Sequence, residues 1–122
     1  MRSKSIIKEK SFRFAIRIVK LYKYLISEKK EFVLSKQLLR SGTSIGANVG
    51  ESQNAESKAD FIHKLGIAQK ETDESLYWLE LLRETNYIAD DEFTSMKSDA
   101  SELLKIIRSI ILTTKQNNKK KD

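Results

Sequence analysis

Residues 57–82 read SKADFIHKLGIAQKETDESLYWLELL, and this stretch decides the fold. Phe61, Leu65, Ala68, Thr72, Leu76 and Leu79 recur every three or four positions, the spacing of one buried face of an α-helix rather than the alternation of a strand. Ser57-x-x-Asp60 resembles a capping box at its start, so a helix is predicted from Ser57 to about Asn86. Working outward, a second helix follows an N-cap at Ser35 and fades near Asn54. A third element upstream spans about Ser11 to Lys29. A last helix begins at Asp90, with Asp91 and Glu92 in the first turn where the helix dipole favours anions, and runs to about Gln116. No Pro interrupts any of them. Short connections make neighbours antiparallel, so the predicted architecture is an all-α, up-down four-helix bundle over residues 1–116, with 117–122 a disordered basic tail.

The chain has 122 residues, no Cys and four Gly. That length suits one domain. The composition excludes disulfide scaffolds, thiolate zinc sites and collagen-like repeats, and it argues against a β-rich fold. No apolar run approaches the ~18 residues of a membrane span, and the N-terminus lacks the apolar core of a signal peptide. The expected setting is a reducing cytoplasm with no membrane partner.

Charge is unevenly distributed beneath a net +6. Residues 1–40 hold twelve Lys/Arg against three Asp/Glu, residues 41–104 five against thirteen, and residues 105–122 six against one. Two readings fit. Either the basic ends meet a polyanion, displacing the counterions condensed on its phosphates, or basic and acidic helices neutralise each other.

The sharpest basic feature is Lys10, Arg13, Arg17 and Lys20, a ribbon about 15 Å long by the helix rise. Lys36 and Arg40 on the second helix, and Lys105, Arg108 and Lys115 on the fourth, are expected to extend it. Recognition would be by charge and shape, because no zinc finger, GXXG loop or paired aromatic RNA motif is present.

The first helix carries two apolar stripes. One is Phe12, Ala15, Ile16, Val19, Tyr22 and Ile26; the other is Phe14, Ile18, Leu21 and Leu25. A bundle helix needs an apolar face only ~100° wide or somewhat more, so the surplus predicts self-association. Ile67, Trp78 and Leu81, off the core stripe of the third helix, are candidates for the oligomer interface, with Trp78 an aromatic anchor. The alternative places Trp78 at the core edge.

On the second helix Gly42, Gly46 and Gly50 recur every four residues, each at a cost of up to ~1 kcal/mol in helix propensity. Close approach of another helix would offset that. The opposite side carries Arg40, Ser44, Asn48 and Glu51, readable as a solvated face or as an interfacial polar contact.

Catalytic and metal readings are weak. The one His, His63, follows Asp60 at i+3, but a bundle di-iron site needs Glu-x-x-His on two helices. Glu71 and Glu74 have no partner His. No phosphate-binding glycine loop, nucleophile elbow or HExxH occurs. No enzyme activity, metal or cofactor is predicted.

The stretch Gln37-Leu38-Leu39-Arg40-Ser41, then Ser44-Ile45, Asn48-Val49 and Glu51, followed by Phe61 and Tyr77-Trp78-Leu79-Glu80-Leu81-Leu82, resembles a bacterial four-helix-bundle family. Its founding members are encoded by intervening sequences within 23S rRNA genes. With the helix from Phe12 to Leu25, the resemblance covers about residues 10–115. Gly50-Glu51-Ser52 departs from the family's more frequent Ala-Glu-Gly. The resemblance implies a homopentamer, with Arg40, Ser44, Asn48 and Glu51 as the family's polar motif. It is also similar to the accessory variability protein of diversity-generating retroelements, which binds nucleic acid and a reverse transcriptase. The favoured expectation is a non-catalytic, nucleic-acid-binding homo-oligomer associated with structured RNA or rRNA. The competing one is a protein-interaction adaptor or scaffold, such as an accessory subunit of a reverse transcriptase, docking through the Trp78 surface or the acidic middle.

Overall fold

A computed structural model describes the backbone of residues 2–121 and side chains over residues 5–117. The described residues form four helices: α1 (Arg2–Ser27), α2 (Leu34–Gln53), α3 (Lys58–Glu84) and α4 (Asp90–Lys121). Consecutive helices pack side by side, and α4 closes against α1, leaving α1/α3 and α2/α4 as the diagonals. Pairings such as Ser41 with Ser75, Lys10 with Glu102 and Arg17 with Asp99 run in opposite chain directions, as an up-down bundle requires.

The core is made where each helix turns one stripe inward. α1 supplies Ile7, Phe14, Ile18 and Leu25, α2 Leu38, Ile45 and Val49, α3 Leu65, Leu79 and Leu82, and α4 Met96, Leu103 and Ile107. On α3 the predicted stripe is buried except at Leu76, which is half-buried. Ser75 is fully buried instead, because α2 presents a small residue there and the Ser41 and Ser75 hydroxyls lie 2.9 Å apart.

The glycine line has a local cause at Gly42. A Cβ added there would stand 2.6–2.9 Å from three carbons of Ile18, so α1 and α2 can pack this closely only without one. At Gly46 the same atom would stand 3.4 Å from the Ser11 carbonyl oxygen, whereas Gly50 faces open space.

Three boundaries differ from the sequence reading. α1 begins at Arg2 rather than Ser11, because Ile7 continues the Phe14 stripe one heptad upstream. α4 continues past Gln116 through Lys121; Asp122 and the side chains from residue 118 lie outside the described residues. Ser35 is not the cap of α2: it lies inside the helix, the cap position is Val33, which makes no side-chain cap bond, and the Glu31 carboxylate takes that role. The Glu31 carboxylate accepts hydrogen bonds from the backbone N–H groups of Val33 (3.1 Å), Leu34 (3.0 Å) and Ser35 (2.7 Å). The Ser35 hydroxyl returns a bond to the Glu31 carbonyl at 2.8 Å. A side chain reaching forward over a turn satisfies the orphan donors that a cap residue would otherwise take. Burial opposes ionisation of Glu31, but these donors outweigh it and hold its carboxyl below the usual range.

The α3 cap is as read: Ser57 Oγ accepts from the Asp60 N–H at 3.0 Å. The Asp60 carboxylate in turn accepts from the Glu56 N–H at 3.3 Å.

Candidate nucleic-acid interface

The α1 ribbon lies along the seam with α4, and α4 answers it with acids. Lys10 pairs with Glu102 at 2.9 Å, and Arg17 pairs with Asp99 at 2.7 Å and approaches Glu92 at 3.9 Å. Arg13 turns to Glu9 on its own helix at 2.6 Å. Lys20 holds no carboxylate partner among the described residues. These pairs are partly exposed, and pairs of that kind contribute ~1 kcal/mol or less. A cavity of about 360 Å³ between the helices is lined by Lys10, Arg13, Arg17, Asp99 and Glu102, so both signs of charge meet in one groove.

The other predicted cations do not extend that line. Arg40 faces α3, where its guanidinium bonds Glu74 and reaches Glu71 at 3.1 Å. Glu74 also accepts the Trp78 indole N–H at 3.0 Å. The bond to Glu74 raises the Arg40 pKa, and the bonds from Arg40 and then Trp78 hold the Glu74 carboxyl below its usual range against partial burial. At 3.6 residues per turn, Lys105 sits about a quarter-turn around α4 from Asp99 and Glu102, and Arg108 and Lys115 nearly half a turn. Lys36 is exposed in the first turn of α2.

The polar line on α2 is therefore the seam with α3. Arg40 holds the two glutamates and Glu51 receives Lys64 at 3.2 Å, while Ser44 and Asn48 bond back to carbonyls of their own helix. Ile67, Trp78 and Leu81 are all half-buried. Trp78 packs against the core edge, with Tyr77 standing edge-on to it at 5.0 Å and largely exposed.

The larger exposed apolar surface is on α1. Of its two stripes, Phe14, Ile18, Leu21 and Leu25 are buried, while Phe12 is 66% and Ile16 42% exposed. Phe12 borders a shallow cavity of about 400 Å³ with Ser5, Lys8, Glu9, Gly46 and Gly50.

The 23S rRNA-intervening sequence protein family matches residues 3–109. The chain belongs to that family. A solved structure from Bacteroides thetaiotaomicron, described as a protein of unknown function from the S23 ribosomal protein family, is 55% identical and superposes with a TM-score of 0.89. The alignment covers 89% of this chain and 97% of that one. No curated protein matches. Neither the family nor this neighbour brings evidence of catalysis.

Among the described residues, no group of three or more His, Cys, Asp or Glu is placed to hold a metal. No helix among them is long and apolar enough to cross a membrane.

Sequence reasoning overlooked the cations that stay unpaired at the α1–α2 turn. Lys23, Lys29 and Lys30, with Lys20 and Lys36, hold no carboxylate among the described residues. Part of the signal was available: Glu92, Asp99 and Glu102 share one face of α4, as Lys10, Arg17 and Lys20 share one face of α1. Acidic and basic stripes on neighbouring helices foretell mutual neutralisation, whereas residues 20–36 hold five lysines against two acids, one of them buried in a cap.

Proposed function

We propose that this chain is a non-catalytic RNA-binding protein that works as a homo-oligomer in the cytoplasm. The observation that carries the reading is the positive charge left over after internal pairing. The α1 ribbon and Arg40 are largely matched by acids of α4, α3 and α1 itself, yet five lysines between residues 20 and 36 are not. Uncompensated lysines bind phosphates by releasing condensed counterions, with no requirement for a sequence code. Family membership supports RNA as the polyanion. Lys10, Arg13 and Arg17 join the contact where a phosphate displaces a weakly held carboxylate.

Self-association is supported by the α1 stripe. Phe12 and Ile16 expose apolar surface beside Gly46 and Gly50, a smooth flank that a helix of a second copy can cover. Five copies is the number the resemblance implies. A protein-adaptor reading rests on the exposed Tyr77 beside Trp78 and would serve a partner such as a reverse transcriptase.

Light scattering of the protein in dilute buffer, alone and with a structured RNA, tests the proposal. A multiple of the subunit mass that gains RNA, and that drops to the monomer mass on Ile16→Glu with Phe12→Glu, is the expected result. A monomer that ignores RNA in dilute buffer overturns it.

A further inference from the structure

The α1–α2 turn is built rigidly, yet it presents apolar side chains to solvent. After α1 ends at Ser27, Lys30 adopts the left-handed region (φ 54°) and the Glu31 N–H bonds the Leu25 carbonyl at 3.0 Å, a closed C-terminal turn. The buried Glu31 carboxylate then fixes Val33, Leu34 and Ser35 through their N–H groups. Between these two anchors Phe32 is 55% exposed and Val33 70%. Exposing such residues on a fixed loop costs solvation with no return inside this chain.

Tyr24 stands nearby on the last turn of α1, 43% exposed, with the Lys29 ammonium 6.0 Å from its ring centre. It also lines a cavity of about 370 Å³ between α1 and the α3–α4 turn, together with Lys20, Leu21, Ile88 and Ala89. That volume is within the ~300–1,000 Å³ of small-ligand sites, enough for a nucleobase. Arg17 and Glu92 complete its lining.

Of the two acids in residues 20–36, Glu31 is buried in the cap and Glu28 stays exposed. Asp90 and Asp91 begin α4 at this end of the bundle and bound the patch on that side. A polyanion is therefore guided from Lys20 across the turn toward Lys36, away from α4.

Exposed aromatic rings interleaved with unpaired lysines are how proteins hold unpaired nucleotides, bases stacked on the rings and phosphates on the cations. We propose that the α1–α2 end of the bundle is a single-strand site: one base enters the cavity beside Tyr24, another base of the same strand stacks on Phe32, and phosphates of that strand lie on Lys20, Lys29, Lys30 and Lys36. This rests on the RNA-binding reading and narrows it to unpaired nucleotides, such as those of a loop or bulge. An anionic membrane is the other surface that apolar residues among lysines can meet, but the cavity beside Tyr24 has the volume to take in a base, which a flat headgroup layer would leave unfilled.

The test is fluorescence anisotropy with a labelled single-stranded 12-nucleotide RNA and a duplex of equal length. It compares wild type, Tyr24→Ala, Phe32→Ala and, on the far flank of α4, Arg108→Ala. Sedimentation with phosphatidylserine vesicles runs in parallel, and circular dichroism checks that each variant is folded. Tyr24→Ala and Phe32→Ala should each weaken single-strand binding about tenfold, the loss of one base–aromatic stack. Duplex binding and the Arg108→Ala variant should stay within about twofold of wild type, since neither involves these rings. Single-strand affinity untouched by both ring variants overturns the inference, as does Phe32-dependent vesicle binding without RNA binding. A wild type that takes duplex but not single strand sinks this site while leaving the RNA-binding reading standing; a wild type that takes neither sinks both.

Discussion

Replacing Gly42 by Ala tests the packing on which the whole arrangement of helices depends. The new Cβ would meet Ile18 Cγ1, Cδ1 and Cγ2 at 2.6, 2.8 and 2.9 Å. All three belong to a β-branched side chain with a stiff χ1, and Ile18 is fully buried, so it has no free volume to swing into. Overpacking of this kind costs ~1–3 kcal/mol, and three simultaneous contacts place Gly42→Ala at the upper end. Relief of glycine's poor helix propensity returns up to ~1 kcal/mol, leaving a net loss of about 2 kcal/mol. For a chain of this length that lowers Tm by about 8 °C, read by circular dichroism at fixed protein concentration because assembly is linked to stability. Gly66→Ala, where nothing lies within 4 Å, should instead stabilise. The decisive comparison is the Ile18→Ala background. There the colliding atoms are gone, and Gly42→Ala should change sign and stabilise by about 1 kcal/mol. A Gly42→Ala variant as stable as wild type, or equally destabilised in both backgrounds, would refute the close approach of α1 and α2.

Glu31→Ala strips three N–H groups of their acceptor and should cost about 2 kcal/mol in urea unfolding, with Glu31→Gln costing roughly half as much. Because the folded-state pKa of Glu31 is lowered, its contribution is complete above the unfolded carboxylate range near ~4.3 and disappears as pH falls through the folded value. In Glu31→Gln that part of the acid loss should be missing. Trp78 is the only Trp, so its fluorescence reports protonation of Glu74: the acid transition should fall below the usual carboxylate range and move up in Arg40→Gln. Asp99→Asn with Glu102→Gln should cost stability ~1 kcal/mol or less, yet strengthen RNA binding severalfold by freeing Arg17 and Lys10.

Much of the fold was legible because apolar residues recur at helical spacing along α3 and α4 with no strand-like alternation. The Ser57 cap was legible because its donor lies three residues on, a fixed local geometry. The α2 cap was not, since Ser35 looks like a cap in sequence and only the reversal of the chain at Lys30 brings the Glu31 carboxylate over the helix end. The start of α1 was hidden by the charged run around Ile6 and Ile7, whose inward residue acquires meaning only once α2 and α4 supply neighbours. The polar line Arg40 to Glu51 resolved into a seam because Glu71, Glu74 and Lys64 face it, which periodicity along one helix cannot reveal. The basic ribbon lies along the seam with α4, and its charge is a property of the α1–α4 pair. Reading it alone overstated its freedom and drew attention from the turn.

The salt dependence of single-stranded RNA affinity tests the central claim most directly. Engagement of Lys20, Lys29, Lys30 and Lys36 predicts a log–log slope of about −2.8, hence a roughly fiftyfold loss between ~50 and ~200 mM salt. A slope near zero, or no binding at the lower concentration, would contradict it.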